Sequence, residues 1–508
     1  MQRRLHLPEI KLRHLVYAVL IYCGIVAAVW PRRTYDIWWH LAAGRWMVQN
    51  QQIPHEDPFT WSRQGEAWTA HEWAWELPMY ALYSRWGHDG LMALRVLVGA
   101  VTCGLLAWLL LRKGATPLVA MAVGALAIFA ARPLFNDRPQ AATMPFFVAM
   151  LCLIEQSEQG KQRWLLIGAP LLMVAWVNIH GGFIYGPALL GLYALCKAPR
   201  WIMQWRGKQS LAPCPGMVLG AIALSVIACV ANPNFIEGAV YPMEYVTGGH
   251  SWHKTFISEY KSPDFSGDVF AILGYLIVGA TAVFAASSRR ASLWEIALVS
   301  VFLYTALNWQ RNAALFAFAV APLLALQGTE LMGRIGLSRT REQPEERSPT
   351  VLYWAIVVAL VVAAGMSLPT ASQRAEERFG EDMPVESVQY IQETGLQGRM
   401  LNTYRWGGYL IWHLWPEHRV MIDGRADVMG RTLAADWQKA HKLLEGWEQV
   451  LDDYAIDWAL VEENAPLVRG LEEHPDWRLA FEESSARLFV RKGSVADRTA
   501  EPGHADAD

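Results

Sequence analysis

Cysteine is scarce in this sequence, and its few occurrences form no recognisable motif. Only six cysteines occur among 508 residues, each inside or at the edge of an apolar segment, without a CxxC pair and with none after Cys229. Disulfide bonds and a thiolate metal site are therefore not expected. Long runs of basic residues are also missing, and the net charge is only −3. The sequence therefore gives no indication of a nucleic-acid partner.

Long apolar runs, in contrast, are abundant. Hydrophobic residues make up 53% of the chain, and they gather in segments of about 20 residues, the length that crosses a membrane. We predict a polytopic α-helical membrane protein with about eleven spans. The spans lie near residues 13–30, 90–111, 115–134, 139–156, 163–178, 181–197, 213–231, 268–287, 292–308, 311–328 and 350–368. The first is predicted to be a retained span, because no clear small-residue cleavage site follows it.

Basic residues in the short loops predict the orientation of the chain. Every second loop carries lysine or arginine, as in the pairs Arg112–Lys113, Lys161–Arg163 and Arg289–Arg290. Because basic loops stay on the cytoplasmic side, this pattern predicts an N-in, C-out topology. We therefore expect a multi-pass protein of the cytoplasmic membrane, inner or plasma, whose specialised loops and active face are extracytoplasmic.

The domain boundaries follow from these segments and from a change of pattern near the C-terminus. Residues 369–492 alternate helical and strand patterns, which predicts a small extracytoplasmic α/β domain. Strands are predicted at RMLNTY, RVMIDG, DWALVE and in a final hairpin, with one long helix between the second and third. The other divisions are an N-terminal tail with the first span (1–30), a large outer loop with interfacial helices (31–89), a multi-span membrane domain (90–368) and a disordered tail (493–508).

The first outer loop concentrates acidic, histidine and tryptophan residues. Asp36 is followed by His40 and Arg45 at spacings that place them on roughly one face of a short helix. The motifs IPHEDPF and HEWAWE add His55, Glu56, Asp57, His71, Glu72 and Glu76. One interpretation is an interfacial tryptophan belt whose charges only solvate the loop. The other is a sugar site, because rings beside carboxylates suit the apolar face and the hydroxyls of a sugar.

Two other outer loops carry arginine next to apolar segments. RPLFNDRPQ contains Arg138 and Gln140, and NWQRNAALF contains Arg311 and Asn312. An arginine at the mouth of a span can simply extend toward lipid headgroups. Its functional alternative is to hold a phosphate, because a planar guanidinium matches phosphate oxygens in bidentate fashion.

Two further motifs have structural as well as functional interpretations. In NIHGGF, Asn178 and His180 lie at a tight turn between two spans, where His180 is expected to stabilise the turn or line a cavity rather than bind a metal. In the C-terminal domain, NTYRWGGYLIW and MIDGRAD follow predicted strands, where ligand crevices form in open α/β sheets. Asp423 and Arg425 could therefore contact a ligand, or they could form an internal salt-bridge network.

These motifs, in this order, resemble the GT-C superfamily of integral-membrane glycosyltransferases, and more closely a bacterial branch of it. The resemblance rests on DIWWHLAAGRW, IPHEDPFTW, HEWAWE, RPLFNDRPQ, NIHGGF, the RN pair at 311–312, and WGGYLIW with MIDGRAD. These motifs extend over most of the chain. The resemblance implies a sugar donor carried on a polyprenyl phosphate, an outward-facing active site and inversion at the anomeric carbon.

The resemblance also implies roles for individual residues. Asp36 would be the general base that takes a proton from the acceptor, with Glu72 or Asp57 as second candidates. Arg138 or Arg311 would hold the lipid phosphate that leaves. Further candidates for binding substrate or phosphate are His40, Arg45, His71, Gln140, Asn178, His180 and Asn312, with Asp423 and Arg425 in the C-terminal loop. The cofactor is left open; for a divalent metal, the ligands to test would be His55, Asp57, His71 and Glu72.

The sequence thus favours an inverting membrane glycosyltransferase that moves a sugar from a polyprenyl-phosphate donor to an extracytoplasmic glycan, lipid or protein. A transporter or flippase of lipid-linked sugars would require charges at mid-span depth and paired repeats, yet charged residues are nearly absent from the centres of these segments. A non-catalytic membrane scaffold would leave the carboxylates of the first outer loop unexplained. The expected partners are the lipid-linked donor, the acceptor and the lipid bilayer, with no nucleic acid.

Overall fold

The computed structural model describes residues 8–29, 34–210, 213–246, 257–337 and 349–500. The chain folds as two compact units, each built from two separate stretches of sequence. The helical unit comprises Met1–Arg33 and Asp89–Ala371, and the mixed unit comprises Thr34–His88 and Ser372–Asp508. The first outer loop and the C-terminal domain, which the sequence analysis treats as separate domains, therefore belong to one unit.

Helices make up most of the described chain. In chain order they are α1 Leu12–Val29, α2 Ile37–Asn50, α3 Trp73–Lys113, α4 Pro117–Ala131, α5 Thr143–Glu158, α6 Gln162–Val177, α7 Tyr185–Arg206, α8 Pro215–Ala228, α9 Phe235–Val246, α10 Asp268–Ala286, α11 Leu293–Asn308, α12 Ala313–Arg334, α13 Thr350–Asp382, α14 Val385–Thr394, α15 Gly407–Leu414, α16 Ala426–His441, α17 Trp447–Asp453, α18 Pro466–Glu473 and α19 Val495–Thr499. Each apolar segment predicted to span the membrane lies largely within a helix, the conformation that satisfies the backbone polar groups internally in lipid.

Six helices in the described part of the chain are long and apolar enough to cross a membrane. These are Leu12–Val29, Trp73–Lys113, Pro117–Leu134, Asp268–Ala286, Gln310–Arg334 and Thr350–Leu368. Shorter apolar helices occur at Gln162–Val177, Pro215–Ala228 and Leu293–Asn308. These helices are those of an integral membrane protein, whereas the predicted total of about eleven spans and the N-in, C-out orientation remain predictions.

The core of the helical unit is built around α12, in which every residue from Ala313 to Ala325 is buried. Glycines allow other helices of this unit to approach closely. A Cβ on Gly24 of α1 would lie 2.6 Å from the Cys103 sulfur of α3 and 3.0 Å from the carbonyl oxygen of Gly99. Small residues at such crossings let two helix backbones come together, which is common among membrane helices.

Helix α3 belongs to both units. Gly87, with φ 56° and ψ −140°, interrupts its helical path. The part before Gly87 corresponds to the predicted interfacial helix 71–86, and the part after it contains the predicted span 90–111. The residues of α3 that contribute to the candidate site below all precede this interruption.

The mixed unit contains the predicted small sheet. Its strands are β1 Met400–Asn402, β2 Trp458–Glu462, β3 Trp477–Glu482 and β4 Ala486–Arg491, in the order β1-β2-β4-β3. β1 pairs with β2 in parallel, whereas β4 pairs antiparallel with both β2 and β3. All residues of β1 and the first four of β2 are buried, so this side of the sheet lies inside the unit.

Three local predictions differ from the structure of this unit. RVMIDG forms no strand of the sheet; instead Val420 pairs with the first outer loop. The Val420 nitrogen donates to the Phe59 oxygen at 3.3 Å, and the Val420 oxygen accepts from the Trp61 nitrogen at 3.1 Å. The predicted long helix is divided into α16 and α17, because Leu443 and Gly446 have positive φ. Helix α19 lies within the tail predicted to be disordered, of which residues 501–508 are outside the described residues.

Candidate functional site

Asp36 occupies the N-cap position of α2 and is half-buried. Its carboxylate lies against the turn that contains Gly424. A Cβ at position 424 would be 2.4 Å from Oδ1 of Asp36 and 3.0 Å from Nε1 of Trp39. A side chain at this position would displace the Asp36 carboxylate, so the structure explains the glycine in MIDGRAD by its contact with Asp36. The N-terminus of α2 also carries the positive end of the helix dipole, which favours an acidic group there.

One turn farther along α2, His40 meets two carboxylates from the start of α3. Its Nδ1 lies 3.0 Å from Oε1 of Glu76 and 3.8 Å from Oε2 of Glu72. His40 and Glu76 are each 1% exposed, whereas the Glu72 side chain is 13% exposed. His71 borders this group, with its Nε2 3.6 Å from Oε1 of Glu72. The structure therefore brings together His40, His71 and Glu72 from the predicted site residues and adds Glu76.

Local sequence explains why these side chains meet. Glu72 and Glu76 are four residues apart, and the Glu76 nitrogen donates to the Glu72 oxygen at 3.1 Å, so both carboxylates lie on one helix face. Helix α2 can approach this face because position 44 is glycine. A Cβ on Gly44 would be 2.4 Å from the Glu76 carbonyl oxygen and 2.6 Å from the Tyr80 Cβ. Burial, followed by the neighbouring charge of Glu72, raises the pKa of Glu76 well above its ordinary value.

Asp57, a second candidate for the general base, is part of a buried charge network. One of its oxygens lies 2.8 Å from Nη2 of Arg425, and its carboxylate accepts hydrogen bonds from the Phe59 and Thr60 nitrogens at 3.0 and 3.2 Å. Asp423 binds the same Nη2 at 2.6 Å. Through these contacts, Asp57 connects the first outer loop to the C-terminal segment.

Arg425 lies at the centre of this network and is fully buried. Its guanidinium lies 5.0 Å from the ring centre of Phe59 and 4.6 Å from that of Trp68. Burial alone would lower its pKa, but the two carboxylates of Asp423 and Asp57 more than offset that effect and raise the pKa above its ordinary value. The structure thus shows the internal salt-bridge network that the sequence left as one of two alternatives.

Arg45, predicted to bind substrate or phosphate, packs against the C-terminal segment of the same unit. Its guanidinium lies 4.5 Å from the ring centre of Trp412, and Nη2 donates to the Ile411 oxygen at 3.4 Å. Glycine again allows the close packing: a Cβ on Gly408 would lie 2.9 Å from the Trp39 nitrogen. Gly408 is thereby explained by its close packing against α2.

The helical unit gathers a second group of predicted residues. Arg138 forms an ion pair with Glu259, and Arg311 donates to the hydroxyl of Tyr260, with its guanidinium 4.7 Å from that ring centre. Because Glu259 and Tyr260 are adjacent, the two guanidinium groups are neighbours, and they repel each other electrostatically. The helical unit therefore holds two guanidinium groups close together.

His180 and Asn178 of the helical unit stabilise turns and helix ends. His180 accepts a hydrogen bond from the Gly182 nitrogen at 2.9 Å, and its Nδ1 lies 2.8 Å from the Thr143 hydroxyl. Asn178 donates to the oxygens of Val174 and Ala231, both at 2.8 Å. The expected turn-stabilising role of His180 agrees with these contacts.

Two other polar residues of this unit complete the set. Asn312, next to Arg311 in the sequence, is the N-cap of α12 and accepts a hydrogen bond from the Tyr185 hydroxyl at 2.7 Å. Gln140 is 7% exposed, and its Oε1 has no hydrogen-bond partner among the described residues. A buried amide oxygen of this kind is suited to accept a hydrogen bond from a hydroxyl.

Sequence reasoning did not select two residues that the structure shows to be important. Arg95 is 7% exposed and pairs with Asp137 at 2.5 Å, while its Nε donates to the Ala28 oxygen at 3.0 Å. Arginine near the start of an otherwise apolar segment was the available signal for this pair. For Glu76 there is no local signal, because nothing in HEWAWE distinguishes it from a solvated charge on an interfacial helix. His55, considered as a metal ligand, is exposed.

No protein-family profile matches this sequence, and no curated protein sequence matches it. Solved structures do share its fold. Oligosaccharyltransferase AglB from Archaeoglobus fulgidus, in complex with an inhibitory peptide and a dolichol-phosphate, is similar with a TM-score of 0.52 and 14% identity, covering 88% of this chain and 69% of that chain. The apo form of the Archaeoglobus fulgidus oligosaccharyltransferase gives 0.52 and 12%, with the same coverage.

ArnT from Cupriavidus metallidurans in the apo state is similar over nearly the whole length of both chains. Its TM-score is 0.51 and its identity 15%, covering 96% of this chain and 99% of that chain. At identities of 12–15%, these likenesses show a shared fold. The resemblance predicted from the sequence is therefore confirmed at the level of the fold.

Proposed function

We propose that this protein is an inverting glycosyltransferase of the cytoplasmic membrane, which transfers a sugar from a polyprenyl-phosphate carrier to an extracytoplasmic acceptor. A shared fold hosts many activities, so the proposal needs support from particular residues. The lipid carrier is suggested by the neighbour AglB, which is in complex with a dolichol-phosphate. The proposal includes about eleven spans and an N-in, C-out topology, as the basic loops predict.

The observation that carries this proposal is the pair of guanidinium groups in the helical unit. Arg138 precedes the apolar helix α5, and Arg311 precedes the buried helix α12. Two neighbouring cations at the ends of apolar helices fit a phosphate whose lipid tail stays in the bilayer. A guanidinium has five N–H donors in a planar fork, so one group can hold both a protein partner and phosphate oxygens.

In the proposed reaction, Asp36 is the general base. The acceptor hydroxyl attacks the anomeric carbon from the face opposite the phosphate, the bond from that carbon to the phosphate oxygen breaks, and the carbon is inverted. Asp36 takes the proton of the acceptor, while Arg138 and Arg311 stabilise the negative charge on the departing lipid phosphate. Asp36 is preferred over Asp57 and Glu72, because Asp57 is held by Arg425 and Glu72 belongs to the His40 group.

The phosphate assignment is tested by lipid binding to the full-length protein in nanodiscs. We expect Arg311→Met and Arg138→Met to weaken the affinity for polyprenyl phosphate by about 10-fold or more, since each removes a charge-assisted contact. Arg163→Met, which changes an exposed arginine in the first turn of α6, is the matched control and should bind as the wild type does. Equal affinity in all three variants would contradict the proposal.

Turnover distinguishes the proposed enzyme from its rivals. The assay follows release of polyprenyl phosphate from a panel of polyprenyl-phosphate sugars. A transferase cleaves the bond between sugar and phosphate for at least one donor. A transporter or flippase moves the intact donor between leaflets without cleavage, and a scaffold does neither.

A further inference from the structure

Glu76 has a buried carboxylate oxygen that the protein itself leaves without a partner. Its side chain is 1% exposed, and Oε1 lies 3.0 Å from Nδ1 of His40. Oε2 is buried and has no hydrogen-bond partner among the described residues. Buried polar atoms are nearly always satisfied, so an exception of this kind points to a bound ion or to water.

Two further ligand atoms lie close enough to share an ion with Glu76. Oε2 of Glu72 is 3.8 Å from Nδ1 of His40, and the ligand atoms of His40, Glu72 and Glu76 all lie within 4.8 Å of one another. For a tetrahedral zinc ion with bonds of roughly 2.0–2.2 Å, neighbouring ligand atoms are about 3.4 Å apart. The distances of 3.0 and 3.8 Å from Nδ1 of His40 to Oε1 of Glu76 and Oε2 of Glu72 bracket that spacing, and bonds to the ion would replace the hydrogen bond between Nδ1 and Oε1.

We propose that His40, Glu72 and Glu76 bind one divalent transition-metal ion, with His40 as a ligand through Nδ1. An imidazole with two carboxylates suits zinc, manganese or iron, whereas calcium and magnesium prefer oxygen ligands alone. The ion also provides the charge that two neighbouring carboxylates in a largely buried position require. This inference does not depend on the proposed transferase activity.

The surroundings of the three ligands match a metal site that has an open side. Glu72 is the only one of them with appreciable exposure, 13%, so it marks the side from which an ion enters. His71 contacts this carboxylate at 3.6 Å, and its ring is fixed by a 3.1 Å hydrogen bond between Nδ1 and the Thr69 oxygen. Such outer residues orient metal ligands. With three protein ligands, the fourth position is left for water or substrate.

A bound ion would fasten the first two turns of α2 to the start of α3. His40 follows Asp36 by one turn of α2, and the His40 nitrogen donates to the Asp36 oxygen at 3.3 Å. The site would therefore stabilise the segment that holds Asp36, without containing Asp36 itself. Metal removal should accordingly lower the thermal stability of the mixed unit.

The test uses full-length protein that has been stripped with a chelator and then supplied with Zn²⁺ or Co²⁺. Metal content after removal of excess ion gives the stoichiometry, the visible absorption of Co²⁺ reports the coordination, and thermal unfolding reports the stabilisation. The variants are His40→Gln and Glu76→Gln, with Glu72→Gln as a third at the more exposed edge. His55→Gln is the control, because His55 is an exposed histidine of the same loop.

We expect one ion per chain in the wild type and in His55→Gln. The affinity should fall by about 100-fold or more in His40→Gln and Glu76→Gln, since even outer residues of metal sites change affinity by 10–100-fold. Co²⁺ absorption and the Zn²⁺-dependent rise in Tm should disappear with the affinity. A wild type that retains no ion, or ligand variants that bind as the wild type does, would overturn the proposal. None of these measurements requires a sugar donor, so their outcome is separate from that of the turnover assay.

Discussion

The helical unit and the mixed unit treat buried polar groups differently. Among the described residues, the buried side-chain atoms without a partner in the helical unit are neutral, on Gln140, Gln156, Ser157, Ser225 and Gln327. In the mixed unit they include single atoms of ionisable side chains, among them Oε2 of Glu76 and Nη1 of Arg425. Both units also pair buried charges directly, as in Arg95 with Asp137 and in Arg425 with Asp423.

The comparison indicates where ligands can enter. A buried group that has an atom without a hydrogen-bond partner can be completed by an ion, a substrate or water. Glu76 in the mixed unit is such a group, and this is why we assign the metal site there. Arg138 and Arg311 are more exposed than Arg95: both are half-buried and lie at helix ends, whereas Arg95 is buried.

The largest effect is expected from breaking the buried network of the mixed unit. Arg425→Met leaves the carboxylates of Asp57 and Asp423 buried without their cation, which costs about 3–5 kcal/mol. We expect hydrogen exchange to accelerate in β1, β2 and the loop around Asp57. Arg469→Met removes an exposed i,i+4 ion pair with Glu473 in the same unit and should change the free energy of unfolding by less than about 0.5 kcal/mol. Equal protection in the two variants would show that the buried network does not hold the unit.

A smaller loss is expected from breaking the closed pair of the helical unit. Arg95→Met leaves one carboxylate, that of Asp137, without its cation and should destabilise the helical unit by about 3 kcal/mol. The double variant Arg95→Met/Asp137→Asn should recover part of this loss, because the uncompensated charge is removed. Thermal unfolding in nanodiscs measures both. If the double variant is no more stable than Arg95→Met, the loss of stability does not come from the unpaired Asp137 carboxylate.

The smallest expected effect on stability comes from adding one methyl group beside Asp36. Gly424→Ala places a Cβ 2.4 Å from the Asp36 carboxylate, which we expect to cost about 1–3 kcal/mol and to impair donor turnover by displacing the base. Gly279→Ala is the control in the helical unit, where a Cβ would meet nothing within 4 Å. Its stability should be unchanged or slightly higher, since alanine favours helix. Normal turnover in Gly424→Ala would argue against Asp36 as the base.

Sequence reasoning predicted the helices well because their signal is local. A long apolar run is sufficient to predict a helix, and each predicted segment lies largely within one. The clusters depend instead on residues far apart in sequence. His40 reaches Glu76 because Gly44 lets two helices approach, and Val420 pairs with the first outer loop rather than with the sheet. A strand-like pattern such as RVMIDG indicates an extended segment, but it does not identify the partner.

Asp57 and Arg425 illustrate the same point for the site. Both have the residue types and loop positions of functional groups, and Asp57 was a reasonable candidate for a base. Their contacts are with each other and with Asp423. Only the tertiary structure distinguishes a carboxylate that is held by an arginine from one that stands beside a helix N-terminus, as Asp36 does.

The most direct test of the central claim is turnover of polyprenyl-phosphate sugars by the wild type and by Asp36→Asn. Glu66→Gln, which changes an exposed acidic residue of the same loop, is the matched control. We predict release of polyprenyl phosphate from at least one donor by the wild type and by Glu66→Gln. The rate in Asp36→Asn should be lower by about 10²–10⁴-fold, as for the loss of a general base, while lipid binding persists. Turnover in Asp36→Asn at the wild-type rate, or binding without turnover of any donor by the wild type, would contradict the account.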